Sequence, residues 1–156
     1  MVTSPLFTAV DEQQTLLIYD GDCGFCRRCV TWLVFRWGVP RAKEAHRSEI
    51  VPELEQIPGL EVVSWQALDL SEYLLTPELA NERVWAIRRT PGRPGITRAS
   101  GAAAIALLLT GCESRPWRVA GRILQLPGIR ALAEIGYNLV ARVRHRLPGG
   151  SASCRL

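Results

Sequence analysis

Long apolar runs are missing from this chain. The longest, residues 102–109, has eight residues, against the ~20 that a bilayer-spanning helix needs. The N-terminus lacks the basic start and apolar stretch of a signal peptide, so export is not expected and the cytoplasm is the expected location. Lysine is nearly absent: Lys43 stands alone against eighteen arginines. Histidine is scarce, and both His46 and His145 sit among charged residues, where solvation accounts for them. A concentrated basic surface with stacking or base-reading groups is not evident, so no nucleic-acid partner is expected. Neither an internal repeat nor a long linker occurs.

The 156 residues that are present are 47% hydrophobic and 22% charged. That mixture suits one folded domain with a core, with room for a small extension. Charge is unevenly spread. From Glu113 onward eight arginines face two acids, a net +6, so the first 112 residues carry −2 of the total +4. A basic C-terminal part suits peripheral contact with a partner or an anionic surface.

Five cysteines occur, and Cys23, Cys26 and Cys29 fall within seven residues. An odd count in a chain of this size argues against a disulfide-stapled secreted scaffold. Redox chemistry or metal binding suits the cluster better.

The local pattern orders the elements. The run TLLIY at Thr15–Tyr19 reads as a buried strand ended by Asp20-Gly21. Cys26, Val30, Leu33 and Trp37 then share one helical face, and Gly38-Val39-Pro40 stops that helix. A helix is expected over 48–56, a second strand over 61–67, and a short helix near 71–75. Thr76 caps the next helix, with Pro77 in its first position. Strands at 84–87 and 96–98 flank a turn at 90–95, forming a hairpin. Ser100 is expected to cap a helix over 101–109, rich in Ala and Leu on nearly all sides. Two further helices follow, over 117–126 and 129–146. The last carries an apolar stripe of Leu132, Ile135, Leu139 and Val143.

Chemistry concentrates at Asp20-Gly21-Asp22-Cys23-Gly24-Phe25-Cys26. A strand ends, the chain turns, and a helix opens on Cys-x-x-Cys. Two sulfurs at this spacing can bond with little backbone distortion. A thiolate at a helix N-terminus meets unpaired N–H groups and the positive end of the dipole, which favour the charged form. Arg27 and Arg28 push the same way, and Asp20 and Asp22 push against it. The expected reaction is thiol–disulfide exchange: Cys23 attacks and Cys26 resolves. Asp20 is a candidate proton acceptor for Cys26, its plainer role being to cap the turn. Tyr19 is a candidate lining residue. Cys29, three residues after Cys26, reads as a small buried hydrophobe, with an alternative disulfide or a metal ligand as other roles. Cys112 reads as structural, and Cys154 as an extra redox partner or an incidental tail residue. Zinc or an iron–sulfur cluster on Cys23, Cys26 and Cys29 would need a fourth ligand, such as Cys112, Cys154 or His145. No resident cofactor is expected, and the partner expected is a disulfide-containing protein or small thiol. A non-catalytic binding module is the other alternative.

Residues 19–26, Tyr-Asp-Gly-Asp-Cys-Gly-Phe-Cys, resemble the signature of the DCC family of predicted thiol-disulfide oxidoreductases, whose Asp and two Cys fall on Asp20, Cys23 and Cys26. Looser similarity continues through Trp65-Gln66-Ala67-Leu68, Thr76-Pro77-Glu78, residues 84–98, Ser100-Gly101-Ala102-Ala103 and residues 137–146. The resemblance implies an α/β, thioredoxin-like fold (β-α-β-α-β-β-α) with a C-terminal helical extension. On that frame residues 1–14 are a flexible leader. Residues 15–110 form the thioredoxin-like domain with a helical insertion at 41–60. Residues 111–147 are the helical extension and 148–156 a flexible tail. The usual proline just before the third strand is missing before Val84.

Overall fold

The computed structural model describes residues 15–37, 59–89 and 96–147. The leader, the expected helix at 48–56, the 90–95 turn and the tail lie outside the described residues, as do Cys154 and the side chains of His46 and His145.

The first strand, β1 (Thr15–Tyr19), is buried at every position. A strand covered on both faces reads as a continuous apolar run, while its side chains still point alternately up and down. Leu17 and Tyr19 join Val30, Leu33 and Leu108 on one side of the sheet. Leu16 and Ile18 join Val63, Leu70 and Ala80 on the other. β1 pairs parallel with β2 (Leu60–Ser64) and antiparallel with β3 (Trp85–Arg89), which pairs antiparallel with β4 (Ile96–Ser100). The strand order is β2-β1-β3-β4. A parallel pair needs a crossover, and α1 (Gly24–Arg36) lies on it.

β2 is displaced from the expected 61–67. It begins at Leu60, opposite Thr15, which takes Leu60 out of the insertion, and it ends at Ser64. Residues Trp65–Ala67 wind into a 3-10 turn instead. A second 3-10 turn, Leu70–Tyr73, replaces the short helix near 71–75, because the Asp69 carboxylate accepts from the Ser71 N–H and starts it early. The short α2 (Pro77–Glu82) begins as expected, with Thr76 Oγ1 accepting from the Leu79 N–H at 3.4 Å.

Ser100 makes no side-chain cap on α3 (Gly101–Gly111). The Ala102 N–H donates instead to Glu134 Oε2 at 3.2 Å, so a carboxylate from a later helix sits at the positive end of this one. α4 (Arg115–Leu124) starts earlier than expected because Pro116 occupies a first-turn position, where its missing N–H costs nothing. It lies close on α3. A Cβ at Gly121 would sit 2.8 Å from both Ala106 O and Thr110 N, so only glycine permits the approach.

The last helix, α5 (Pro127–Val143), continues into a 3-10 turn at Arg144–Arg146. An apolar stripe ordinarily faces the core, but here it faces water: Leu132 is 70% exposed and Ile135 and Leu139 are 58% exposed. No residue of α5 is fully buried. Its polar side turns inward. Glu134 pairs with Arg83, Asn138 Oδ1 accepts from Arg83 Nη2 at 2.8 Å, and the Tyr137 hydroxyl accepts from the Val84 N–H at 3.0 Å. Among the described residues no helix is long and apolar enough to cross a membrane.

Candidate active site

Asp20, Gly21 and Asp22 form the turn between β1 and α1, and one side chain ties all three. Asp20 Oδ1 accepts from the Asp22 N–H at 3.1 Å and from Gln66 Nε2 at 2.9 Å. Gln66 Nε2 also donates to Asp22 Oδ2 at 3.2 Å, and its Oε1 accepts from the Gly21 N–H at 3.1 Å. Gly21 has no alternative, since a Cβ there would lie 2.8 Å from Ser64 Cβ. Asp20 is buried and fills the turn-capping role. Gln66 carried no signal of its own. The parallel pairing of Tyr19 with Ser64 puts it just past the end of the neighbouring strand, where functional groups gather in such sheets.

Cys23 is the N-cap of α1. Its sulfur accepts from the Cys26 N–H at 3.4 Å. The residue is 0% exposed. Cys26, one turn on, is half-buried, and the two sulfurs are not alike. Burial pushes the Cys26 thiol well above its ordinary value. Its hydrogen bond to Cys23 and the charge there add to the rise, the Arg144 guanidinium pulls it down, and Asp20 adds a further push upward. Cys26 therefore holds its proton tightly, and the Cys23 sulfur accepts the backbone N–H of its partner.

Arg144 is the cation of the site, and the sequence reading missed it. Nη1 lies 3.9 Å from Cys26 Sγ across 118 residues, and Nη2 donates to Asn81 O at 2.6 Å. Arg27, one of the arginines expected to act on the cysteines, lowers Tyr19, which burial otherwise raises. Cys29 is exposed on the flank of α1 rather than buried. Cys112 is buried in the core, its Sγ 3.9 Å from Leu108 O, as a structural residue would be. Among the described residues no group of three or more His, Cys, Asp or Glu is placed to hold a metal.

Beside the cysteines lies a cavity of about 630 Å³ between α1, α3, α4 and α5. Cys26, Cys29, Tyr19, Trp117, Tyr137 and Arg144 are among its lining residues, and most of the remainder are aliphatic or aromatic. Trp32 and Trp117, edge to face with ring centroids 5.2 Å apart, also border it.

A family model described as DCC1-like thiol-disulfide oxidoreductase matches residues 17–150. The chain belongs to this DCC1-like family. Its mixed four-stranded sheet flanked by helices is the thioredoxin-like architecture of that family, and the closely spaced Cys23–Cys26 pair is consistent with a redox-active Cys-x-x-Cys motif. No curated protein and no solved structure matches the chain.

The buried thiols of this DCC1-like protein are expected to lower its stability at alkaline pH. Burial raises Cys26 and Cys112 above the ordinary 9.0. Above that value the unfolded chain gives up protons that the folded chain keeps, so stability falls as pH rises. Their contribution is complete below pH 9.0 and is lost on the way to their folded values. Urea unfolding of the reduced protein is expected to show a lower midpoint at about pH 10 than at about pH 7.5. A midpoint that rises over this range would contradict the shielding of the Cys26 and Cys112 thiols.

Proposed function

We propose that the protein is a thiol–disulfide oxidoreductase with Cys23 as nucleophile and Cys26 as resolving thiol, acting on protein or small-molecule disulfides in a reducing compartment. The supporting observation is the Cys23 sulfur at the N-cap of α1, accepting the Cys26 N–H. A thiolate there is held by a backbone donor and by the helix dipole. It attacks one sulfur of the substrate disulfide. The new Cys23–substrate bond forms, the substrate S–S bond breaks, and the first substrate thiolate leaves and takes a proton. Cys26 then loses its proton and attacks Cys23. The mixed disulfide breaks and the second substrate thiol departs. Two electrons have passed to the substrate, and the protein holds a Cys23–Cys26 disulfide. Run in reverse, the cycle oxidises a dithiol.

The difficult step is the second, because Cys26 gives up its proton reluctantly. Asp20 is the proton acceptor in this reading. Its carboxyl is buried and near enough for its charge to act on Cys26. Gln66 holds it in place. Arg144 favours the Cys26 thiolate once it forms.

The test is a redox titration in a series of glutathione buffers, read by thiol alkylation and mass spectrometry. The expected result is a two-electron transition linking Cys23 to Cys26, with Cys112 left reduced throughout. A protein that forms no Cys23–Cys26 disulfide at any ratio is not an oxidoreductase of this kind.

A further inference from the structure

Arg144 is a cation in the wrong surroundings. It is 8% exposed and borders a mainly apolar cavity. Among the described residues no carboxylate lies within salt-bridge distance of it, the one such pair being Arg83 with Glu134. Its Nη groups reach a carbonyl and a thiol, and its Nε, also buried, has no hydrogen-bond partner. A buried guanidinium is costly unless an anion and hydrogen-bond acceptors compensate it. Cys26 supplies only a weak sulfur acceptor, and no anion, when protonated or when bonded to Cys23.

The space next to it has the size and wall of a small-molecule site. About 630 Å³ falls within the usual range for ligand pockets. Leu33, Ile105, Leu109, Trp117 and Val140 offer apolar contact along it, and Arg144 brings a fork of donors suited to a planar anion. We infer that this cavity binds an apolar, acyl-chain-like molecule with an anionic end group, the anion pairing with Arg144 beside Cys26. As a binding site the cavity stands on its own geometry. As a substrate pocket it rests on the oxidoreductase reading, and the molecules exchanged are then apolar thiols or disulfides with an acid group close to sulfur.

Octanoate and its neutral counterpart octanamide are the probes, titrated calorimetrically into the whole protein. The expected result is saturable one-site binding, with octanoate preferred by about tenfold or more because a charge-assisted pair is made only with the acid. Arg144→Gln is expected to abolish that preference while octanamide still binds. Gly136→Leu is the second variant. Gly136 borders the cavity, and a Cβ there meets nothing within 4 Å, so the leucine has room to enter and obstruct it without a clash. It is expected to weaken both probes. Absence of saturable binding in the wild type, equal affinity for the two probes, or an octanoate preference that survives Arg144→Gln would each overturn the inference, and so would full binding by Gly136→Leu. Octanoate carries no sulfur. Binding without any exchange activity would therefore sink the oxidoreductase reading and leave the site standing, and exchange activity without octanoate binding would do the reverse.

Discussion

Cys23→Ser is expected to lower disulfide reduction by on the order of 10³-fold or more, to the level of the buffer thiol alone, because removing a nucleophile removes the covalent route. Cys26→Ser is expected to fail differently. Its Cys23 still attacks, but nothing resolves the mixed disulfide, so the substrate stays attached. Non-reducing electrophoresis with a disulfide-bearing substrate separates the two outcomes. An adduct that accumulates in Cys26→Ser and vanishes in the double variant assigns the roles as written. An adduct on Cys23→Ser would reverse them. That reversal has a structural stake, since Cys23 is covered while Cys26 lines the cavity. If Cys23 is the attacking sulfur, the protein must open at the start of α1 before exchange, and opening then limits the rate. A rate that saturates with substrate, while the chemistry itself is fast in a short Cys-x-x-Cys peptide, would identify that opening.

Gly121→Val is expected to destabilise the fold by about 3 kcal/mol, the upper end of ordinary overpacking. A Cβ at this position already falls 2.8 Å from two backbone atoms of α3, and a helix backbone has no rotamer with which to yield. α4 would have to lift away, taking Trp117 and Leu124 off the core they border. For a chain of this size the melting midpoint should drop by roughly 6–12 °C. Gly136→Ala is the control. It too is a helical glycine, but its Cβ enters open space, and the better helix former should gain up to about 1 kcal/mol. If the two substitutions behaved alike, the close packing of α3 and α4 would be refuted.

The elements that local chemistry specifies were legible. Thr15–Tyr19 is continuous and apolar because it lies in the middle of the sheet. Thr76 and Pro77 start α2 as a capping residue and a proline should. The Cys-x-x-Cys pair falls at the start of a helix because Asp20-Gly21 ends the strand before it. What stayed hidden depends on long-range partners. Gln66 looks like any strand-exit glutamine until β2 lies beside β1. Ser100 is a good capping residue, yet Glu134 takes the α3 terminus from 32 residues away. Arg144 belongs to a run of arginines that reads as a solvated face, and only the docking of α5 shows which one turns inward. The apolar stripe of α5 was visible in the sequence, but its direction was not. Periodicity identifies a face without saying which environment receives it, and here Glu134, Tyr137 and Asn138 won the inner side.

That inverted helix also governs the order in which the molecule comes apart. α5 is fastened by an ion pair and a handful of hydrogen bonds, with no fully buried residue of its own. Water competes for such bonds directly, whereas β1 is sealed from it on both faces. Amide hydrogens of α5 are therefore expected to exchange through a local detachment that leaves the sheet folded. Each detachment carries Arg144 away from Cys26 and removes one wall of the cavity. Among the described residues, the Cys23–Cys26 pair and its helix are expected to exchange slowly, and the segment carrying the cation beside them faster.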